Sequence, residues 1–371
     1  MLIDLRPLRH NTAFRRLFAS QFISGLGTMV SYVAVPWQLY ELTRSNAQVG
    51  LLGLVQLVPV VACGLLGGAV ADRVDRKRLL IGSEALMALC LAGLLANALA
   101  AAPSVLAIYA LVAVLQGASG FHRPALEALT QMRARREEFA AIAALSSMRG
   151  TVGMVAGPAL AGVLLARWGA VAAYLFDFAT FLAALYFLAR IPRERLGDDN
   201  LTQERPHLLA DLAEGLRFAR ARPELMGTYI VDIVAMAFAF PIALFPAMAA
   251  ADGRTESVGW LLSAMSVGAL AIGLFSGWTG RVQRHGRAVV IAAAAWALGI
   301  VALGFAPSLV LALGCLAVAG AADMVSGVFR GTIWNEVIPN ELRGRLAGIE
   351  MISYLTGPLI GNVRAGFMAD A

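Results

Sequence analysis

Long apolar stretches, each followed by a short polar or charged turn, repeat along the whole chain, and they are apolar on every face rather than on one stripe. A helix of about 17 to 25 residues crosses the hydrocarbon core of a bilayer, so each stretch reads as a transmembrane α-helix. Eleven are predicted: Leu17–Leu42, Ala47–Ala71, Leu79–Ala102, Val105–Ala128, Phe139–Ala166, Val171–Ala189, Leu225–Ala250, Val258–Gly280, Ala288–Phe305, Leu309–Val337 and Leu346–Met368. The expected fold class is all-α, a polytopic membrane helical bundle. Pro36, Pro59, Pro158 and Pro241 fall inside these stretches and are expected to kink rather than break them, because neighbouring helices can satisfy the freed backbone groups. Composition agrees, with 59% apolar and only 15% charged residues, too few charges to coat the outer faces of a soluble bundle. The first stretch is too long for a signal peptide and lacks a small-residue cleavage site, so no cleavable leader is expected.

Basic residues set the expected orientation. Alternate connections carry Arg6, Arg9, Arg15 and Arg16; Arg73, Arg76, Lys77 and Arg78; Arg133, Arg135 and Arg136; the arginines between Arg190 and Arg222; Arg281, Arg284 and Arg287; and Arg343 and Arg345. The opposite connections hold only Arg44, Arg167 and Arg254. The positive-inside rule then predicts a cytoplasmic amino terminus in a multi-pass cell-membrane protein, the inner membrane if the host is Gram-negative. The net charge of +6 is accounted for by anionic lipid headgroups and does not call for nucleic acid. Cys63, Cys90 and Cys315 all fall within predicted spans, which excludes a disulfide framework or a cysteine-rich metal site and leaves them as small core residues. No metal and no cofactor is expected.

The chain also echoes itself. Sliding it so that Val49-Gly50 meets Val258-Gly259 also places Gly64-Leu65, Gly68 and Arg78 on Gly273-Leu274, Gly277 and Arg287 without a gap, and Gly157-Pro158 is echoed by Gly357-Pro358. Two halves of like orientation form the parallel repeat of a transporter, with the substrate path between them. The domains read as residues 1–190, a six-helix half; 191–223, a cytoplasmic linker; and 224–371, a second half of five helices. Within the linker, Leu208–Arg222 has a leucine stripe with basic flanks, the pattern of a helix lying on the membrane surface.

The connection Gly67–Arg78 reads GGAVADRVDRKR. Gly68, Asp72, Arg73, Asp75, Arg76 and Lys77 fit the pattern glycine, three residues, aspartate, basic, any, glycine or aspartate, arginine, basic. With Phe14-Arg15-Arg16-Leu17-Phe18 and Asn340-Glu341-Leu342-Arg343-Gly344-Arg345, the whole chain resembles the major facilitator superfamily, in its drug and siderophore exporter branch of enterobactin-exporter and macrolide-efflux type. The resemblance implies a fold of two pseudo-symmetric halves and rocker-switch alternating access. It also implies that this charged loop is a gating latch, a role that accounts for two aspartates a plain positive-inside turn would not need. In the second half the aspartates align with Arg281 and Arg284, so one latch is expected to dominate. Gly153, Gly157, Pro158 and Gly162 form a stripe at about four-residue spacing in the fifth span; it makes a smooth groove for a partner helix and resembles the antiporter motif, with Ala161 in place of one expected glycine. The arginine expected three residues before Gln116 is Ala113, leaving Arg149 and Arg123 as substitutes. Superfamily members have twelve spans, so a chain of eleven is expected to be a fragment or a truncation.

Ionisable groups inside spans are costly and presumed functional. Arg149, Asp232, Asp323, Arg123 and Glu127 are the candidates for proton or charge coupling; Arg123 and Glu127, one turn apart, are alternatively a self-neutralising pair, and the aspartates are alternatively structural partners of Arg149 or Arg330. Trp37, Phe121, Tyr229 and Phe238 are candidate cavity-lining aromatics. The expected function is a secondary active exporter, working as a monomer, that uses protons to move a small amphipathic molecule such as a siderophore or drug. An importer of a small metabolite shares nearly every motif. A membrane-embedded enzyme would need a catalytic constellation, and there is neither a paired-histidine metal motif nor a nucleophile elbow; a phosphate-binding glycine loop with its lysine is missing too.

Overall fold

The structure is a computed structural model that describes residues 4–71, 74–133, 138–192, 208–339 and 342–371. Its helices are α1 (Arg6–His10), α2 (Thr12–Thr43), α3 (Asn46–Ala71), α4 (Arg76–Leu99), α5 (Val105–Arg133), α6 (Phe139–Ala189), α7 (Leu208–Arg220), α8 (Pro223–Ala239), α9 (Phe245–Asp252), α10 (Ser257–Leu274), α11 (His285–Gly304), α12 (Leu309–Val337) and α13 (Arg343–Asp370). Among the described residues, nine helical segments are long and apolar enough to cross a membrane.

At 51 residues, α6 would extend about 76 Å, more than twice the hydrocarbon thickness. It breaks at Gly169, whose φ of 72° and ψ of −172° lie where only glycine sits without strain. That break falls between the two stretches the apolar pattern separates, Phe139–Ala166 and Val171–Ala189. Pro36, Pro59 and Pro158 lie inside continuous helices, as expected.

Pro241 behaves differently. The stretch Leu225–Ala250 is not one kinked helix: α8 ends at Ala239, Phe240 is extended, a 3-10 turn runs over Ile242–Leu244, and α9 follows. Proline disfavours the helical region for its predecessor and has no N–H to continue the ladder. The freed backbone groups are taken up by side chains: Trp296 Nε1 donates to the Ala239 carbonyl at 3.0 Å, Arg364 Nε to the Ala237 carbonyl at 2.9 Å, and the Ala243 N–H donates to Asn362 Oδ1 at 3.1 Å. The expected span Val258–Gly280 is also shorter, since α10 stops at Leu274 and a 3-10 segment, Ser276–Arg281, takes its place.

Two compact units organise these helices: Met1–Leu42 with Val58–Arg205, and Thr43–Leu57 with Pro206–Ala371. In the first unit, Leu17, Leu80, Ala125, Leu129 and Leu188 form one apolar cluster and Phe14, Ile142 and Leu145 another. In the second, Leu225, Tyr229, Phe329, Trp334 and Leu346 form the largest cluster, with a smaller one around Trp296 and Met236. Helix α7 joins the larger cluster through Ala219 and Phe218. Small residues bring helices into backbone contact, as at Gly120, where an added Cβ would fall 2.7 Å from the Gly64 nitrogen. Such close approach is the usual basis of helix association where there is no hydrophobic driving force.

Candidate functional site

The first unit holds a cavity of about 880 Å³ between α2, α4, α5 and α6. Its wall includes polar Gln21, Ser24, Ser119, His122, Arg123 and Arg149 and apolar Phe22, Met29, Met87, Met154 and Phe181. Flexible thioethers and aromatic faces suit a surface that accepts varied apolar shapes.

Behind that wall lies a buried polar cluster drawn from three helices. Glu84 of α4 is fully buried. Its Oε2 lies 2.7 Å from His122 Nε2 and accepts from Gln21 Nε2 at 3.2 Å, while Oε1 has no hydrogen-bond partner among the described residues. The carboxylate also interacts electrostatically with half-buried Arg149 of α6. Arg123 and Glu127 line the same cavity and pair with each other at 3.3 Å, one turn apart and both exposed.

The second unit has its own charged cluster. Arg330 Nη1 contacts Asp232 Oδ1, and Arg330 Nη2 lies 3.8 Å from Asp323 Oδ1. Asp232 and Arg330 are 5% and 3% exposed, whereas Asp323 is 43% exposed. Ser353 donates to Asp232, and the Tyr354 ring centroid sits 5.3 Å from the Arg330 guanidinium carbon. Both candidate aspartates therefore share one arginine, and that arginine is Arg330.

In the charged loop, Asp72 and Arg73 lie outside the described residues. Gly68 lies in the last turns of α3. Asp75 caps α4, its Oδ1 accepting from the Arg78 N–H at 2.8 Å. Arg76 contacts the Met132 sulfur at 3.0 Å, and Lys77 Nζ donates to the carbonyls of Ala189 and Ile191 at 3.1 and 2.6 Å. Lys77 thus places a positive charge on the last carbonyl of α6 and on one just beyond it, where the helix dipole is negative.

Along the glycine stripe, Gly153, Gly157, Pro158 and Gly162 are buried in α6, and Gly157 abuts Met29 of α2. Gly153 also borders the cavity. Of the candidate aromatics, Trp37 is buried, Phe121 is half-buried, Tyr229 packs on Trp334 with centroids 5.7 Å apart, and Phe238 is exposed beneath Arg364. The cavity of the first unit draws its aromatic lining from other positions, Phe22, Phe139 and Phe181.

Glu84, His122 and Asp177 are not among the candidates that the sequence singles out. Asp177 is in fact buried, accepting from Ser31 Oγ at 2.5 Å and from Thr180 Oγ1 at 3.3 Å. The available signal for Glu84 was a carboxylate in an apolar helix, with a glutamine and a histidine in neighbouring spans. Which of them meet is a tertiary fact.

Comparison with known proteins accords with this architecture. A family model described as "Transmembrane secretion effector" matches residues 3–371. The enterobactin exporter EntS of Shigella boydii serotype 18 is 31% identical over 98% of this chain and 87% of its own length, and so is that of Escherichia coli O1:K1 / APEC. Among solved structures, the nucleoside transporter NupG superposes with a TM-score of 0.77 at 14% identity, covering 96% of this chain and 90% of that one. A bacterial homologue of the iron transporter ferroportin, in an inward-facing state, gives 0.69 at 12% identity over 95% and 91%. These structural likenesses establish the fold, an all-helical bundle of the kind they share. The chain belongs to the transmembrane secretion effector family of the major facilitator superfamily, and it is a transporter of small molecules rather than an enzyme.

Proposed function

We propose that the protein is a proton-gradient-driven exporter of a small amphipathic molecule, a siderophore of the enterobactin kind or a drug, working as a monomer in the inner membrane. The observation that carries this reading is the similarity to enterobactin exporters, 31% identical over 98% of the chain. In the same reading the amino terminus is cytoplasmic, the chain crosses eleven times, and residues 1–190 and 224–371 are the two halves that alternate access, joined by 191–223 with α7 on the inner membrane surface. The charged loop acts as the inner latch. Asp232 and Asp323, competing for Arg330, carry the coupling proton. The carboxylates share one cation, so a proton on either relieves the other of a competitor. Protonation then alters which partner Arg330 holds, a change a transport cycle can use.

The test deletes the gene and measures retained enterobactin and ethidium side by side, with and without a protonophore. The reading predicts that retention of at least one cargo rises on deletion and that a protonophore reproduces the rise in gene-bearing cells. Equal retention of both cargoes with and without the gene would refute it.

A further inference from the structure

The cavity of the first unit has features that the exporter reading does not use. Its wall is apolar and soft at Met29, Met87, Met154 and Phe181. The charges of Arg123 and Glu127, also on the lining, cancel each other at 3.3 Å. The charged or titratable side chains that remain on the lining are Arg149 and His122, beside neutral polar groups such as Gln21 and Ser119. His122 Nε2 is committed to Glu84, whereas no partner for Nδ1 occurs among the described residues. The 2.7 Å contact between Nε2 and Glu84 Oε2 fixes the orientation of the imidazole and leaves its second nitrogen for another group. A fully buried carboxylate whose second oxygen is unpartnered is an expensive thing to hold in a bilayer span. A positive charge brought onto His122 would offset that cost.

We propose that this cavity binds an acidic molecule with a flat apolar body, whose carboxylate or phenolate is held by Arg149 and His122. Glu84 is a positioning residue that orients His122 and stabilises the proton His122 takes on. An acid that enters protonated gives its proton to Nδ1 and binds as the anion beside the imidazolium; an acid that enters ionised brings the proton from solvent. Either way one proton accompanies one ligand, and no bond other than O–H and N–H changes. The titratable and charged groups facing His122 are Glu84 from α4, Arg149 from α6, and Arg123 with Glu127 from its own helix; α2 contributes neutral Gln21. This assignment concerns what the cavity accepts and stands apart from the coupling role proposed for Asp232 and Asp323.

The experiment uses the full chain in lipid nanodiscs and two probes with the same ring and opposite charge, 1-naphthoate and 1-naphthylmethylamine, with empty nanodiscs subtracted. Calorimetry in buffers of different ionisation enthalpy reads affinity and proton uptake together. A charge-assisted contact predicts that 1-naphthoate binds about tenfold or more tightly than the amine. Its binding takes up protons and weakens as the pH rises. His122→Gln and Arg149→Gln each weaken naphthoate binding about tenfold, and Glu84→Gln flattens the pH dependence while keeping a hydrogen-bonding side chain behind the ring. The thermal transition of each variant shows whether it is folded. If one variant fails to fold, the comparison of the two probes on the unaltered protein still decides. Tighter binding of the amine, or naphthoate binding within about twofold of the unaltered protein in folded His122→Gln and Arg149→Gln, overturns the proposal. Loss of protonophore-sensitive export with naphthoate binding intact would instead refute the exporter reading and leave this site standing.

Discussion

Asp232 of α8 and Arg330 of α12 form an ion pair whose members are 5% and 3% exposed. Two groups so buried support each other only as long as both are charged and present. Replacing Arg330 with alanine leaves the Asp232 carboxylate stranded, with Asp323 beside it, and is expected to cost about 3 to 5 kcal/mol. The double replacement Asp232→Asn with Arg330→Gln removes both charges and is expected to regain most of that loss. Thermal unfolding of the purified variants checks both, and a double variant no more stable than Arg330→Ala would show that the pair is not what holds these helices.

Arg364 closes the break at Pro241. Its Nε donates to the Ala237 carbonyl at 2.9 Å, and its Nη2 donates to the Phe238 carbonyl. Arg364→Ala leaves both acceptors without that partner and is expected to destabilise the protein by about 1 to 3 kcal/mol per carbonyl left unsatisfied. Arg364→Lys keeps one donor and is expected to fall between. The order of unfolding temperatures should therefore be arginine, lysine, alanine.

Asp370 caps the start of α3. Its Oδ2 accepts from the Ser45 hydroxyl and the Ala47 N–H, and its Oδ1 from the backbone and side-chain nitrogens of Asn46. The Ser45 hydroxyl foremost, then the Ala47 amide, holds its pKa down, from 3.8 to about 2. A depressed carboxylate contributes stability above its ordinary value and loses it as pH falls, so this cap weakens only between 3.8 and about 2. Amide hydrogen exchange at Asn46 and Ala47 should show no change in protection from about pH 5 to about pH 8 that is traceable to this group, since both lie above that window. Asp370→Asn should speed exchange there at neutral pH.

Helices α10 and α12 meet backbone to backbone. A Cβ added at Gly320 would collide with the Met265 carbonyl, while one at Gly314 meets nothing within 4 Å. Gly320→Val is therefore expected to cost about 1 to 3 kcal/mol through overpacking. Gly314→Ala should be neutral or stabilising, since alanine is the better helix former. Equal effects at both positions would contradict the close α10–α12 contact.

Much of the fold was legible in the sequence because a bilayer enforces it: backbone groups in lipid must be satisfied locally, so apolar length alone marks the helices. The break at Gly169 was legible as a polar gap. That at Pro241 was not, because it depends on Trp296, Asn362 and Arg364 arriving from other helices to satisfy the freed backbone groups. The candidate site divides in the same way. The pairing of Arg123 with Glu127 follows from helical spacing. Glu84 with His122, 38 positions apart, and the sharing of Arg330 by Asp232 and Asp323 depend on which helix faces which. Position along a span indicated charge cost, and partnership had to come from packing.

The exporter account is tested most directly by inverted membrane vesicles made from cells that produce this chain, energised so that the interior is acidic. The account predicts uptake of enterobactin or ethidium into these vesicles that a protonophore abolishes and that vesicles lacking the chain do not show. Uptake that ignores the gradient, or that occurs only in vesicles of native orientation, would contradict it.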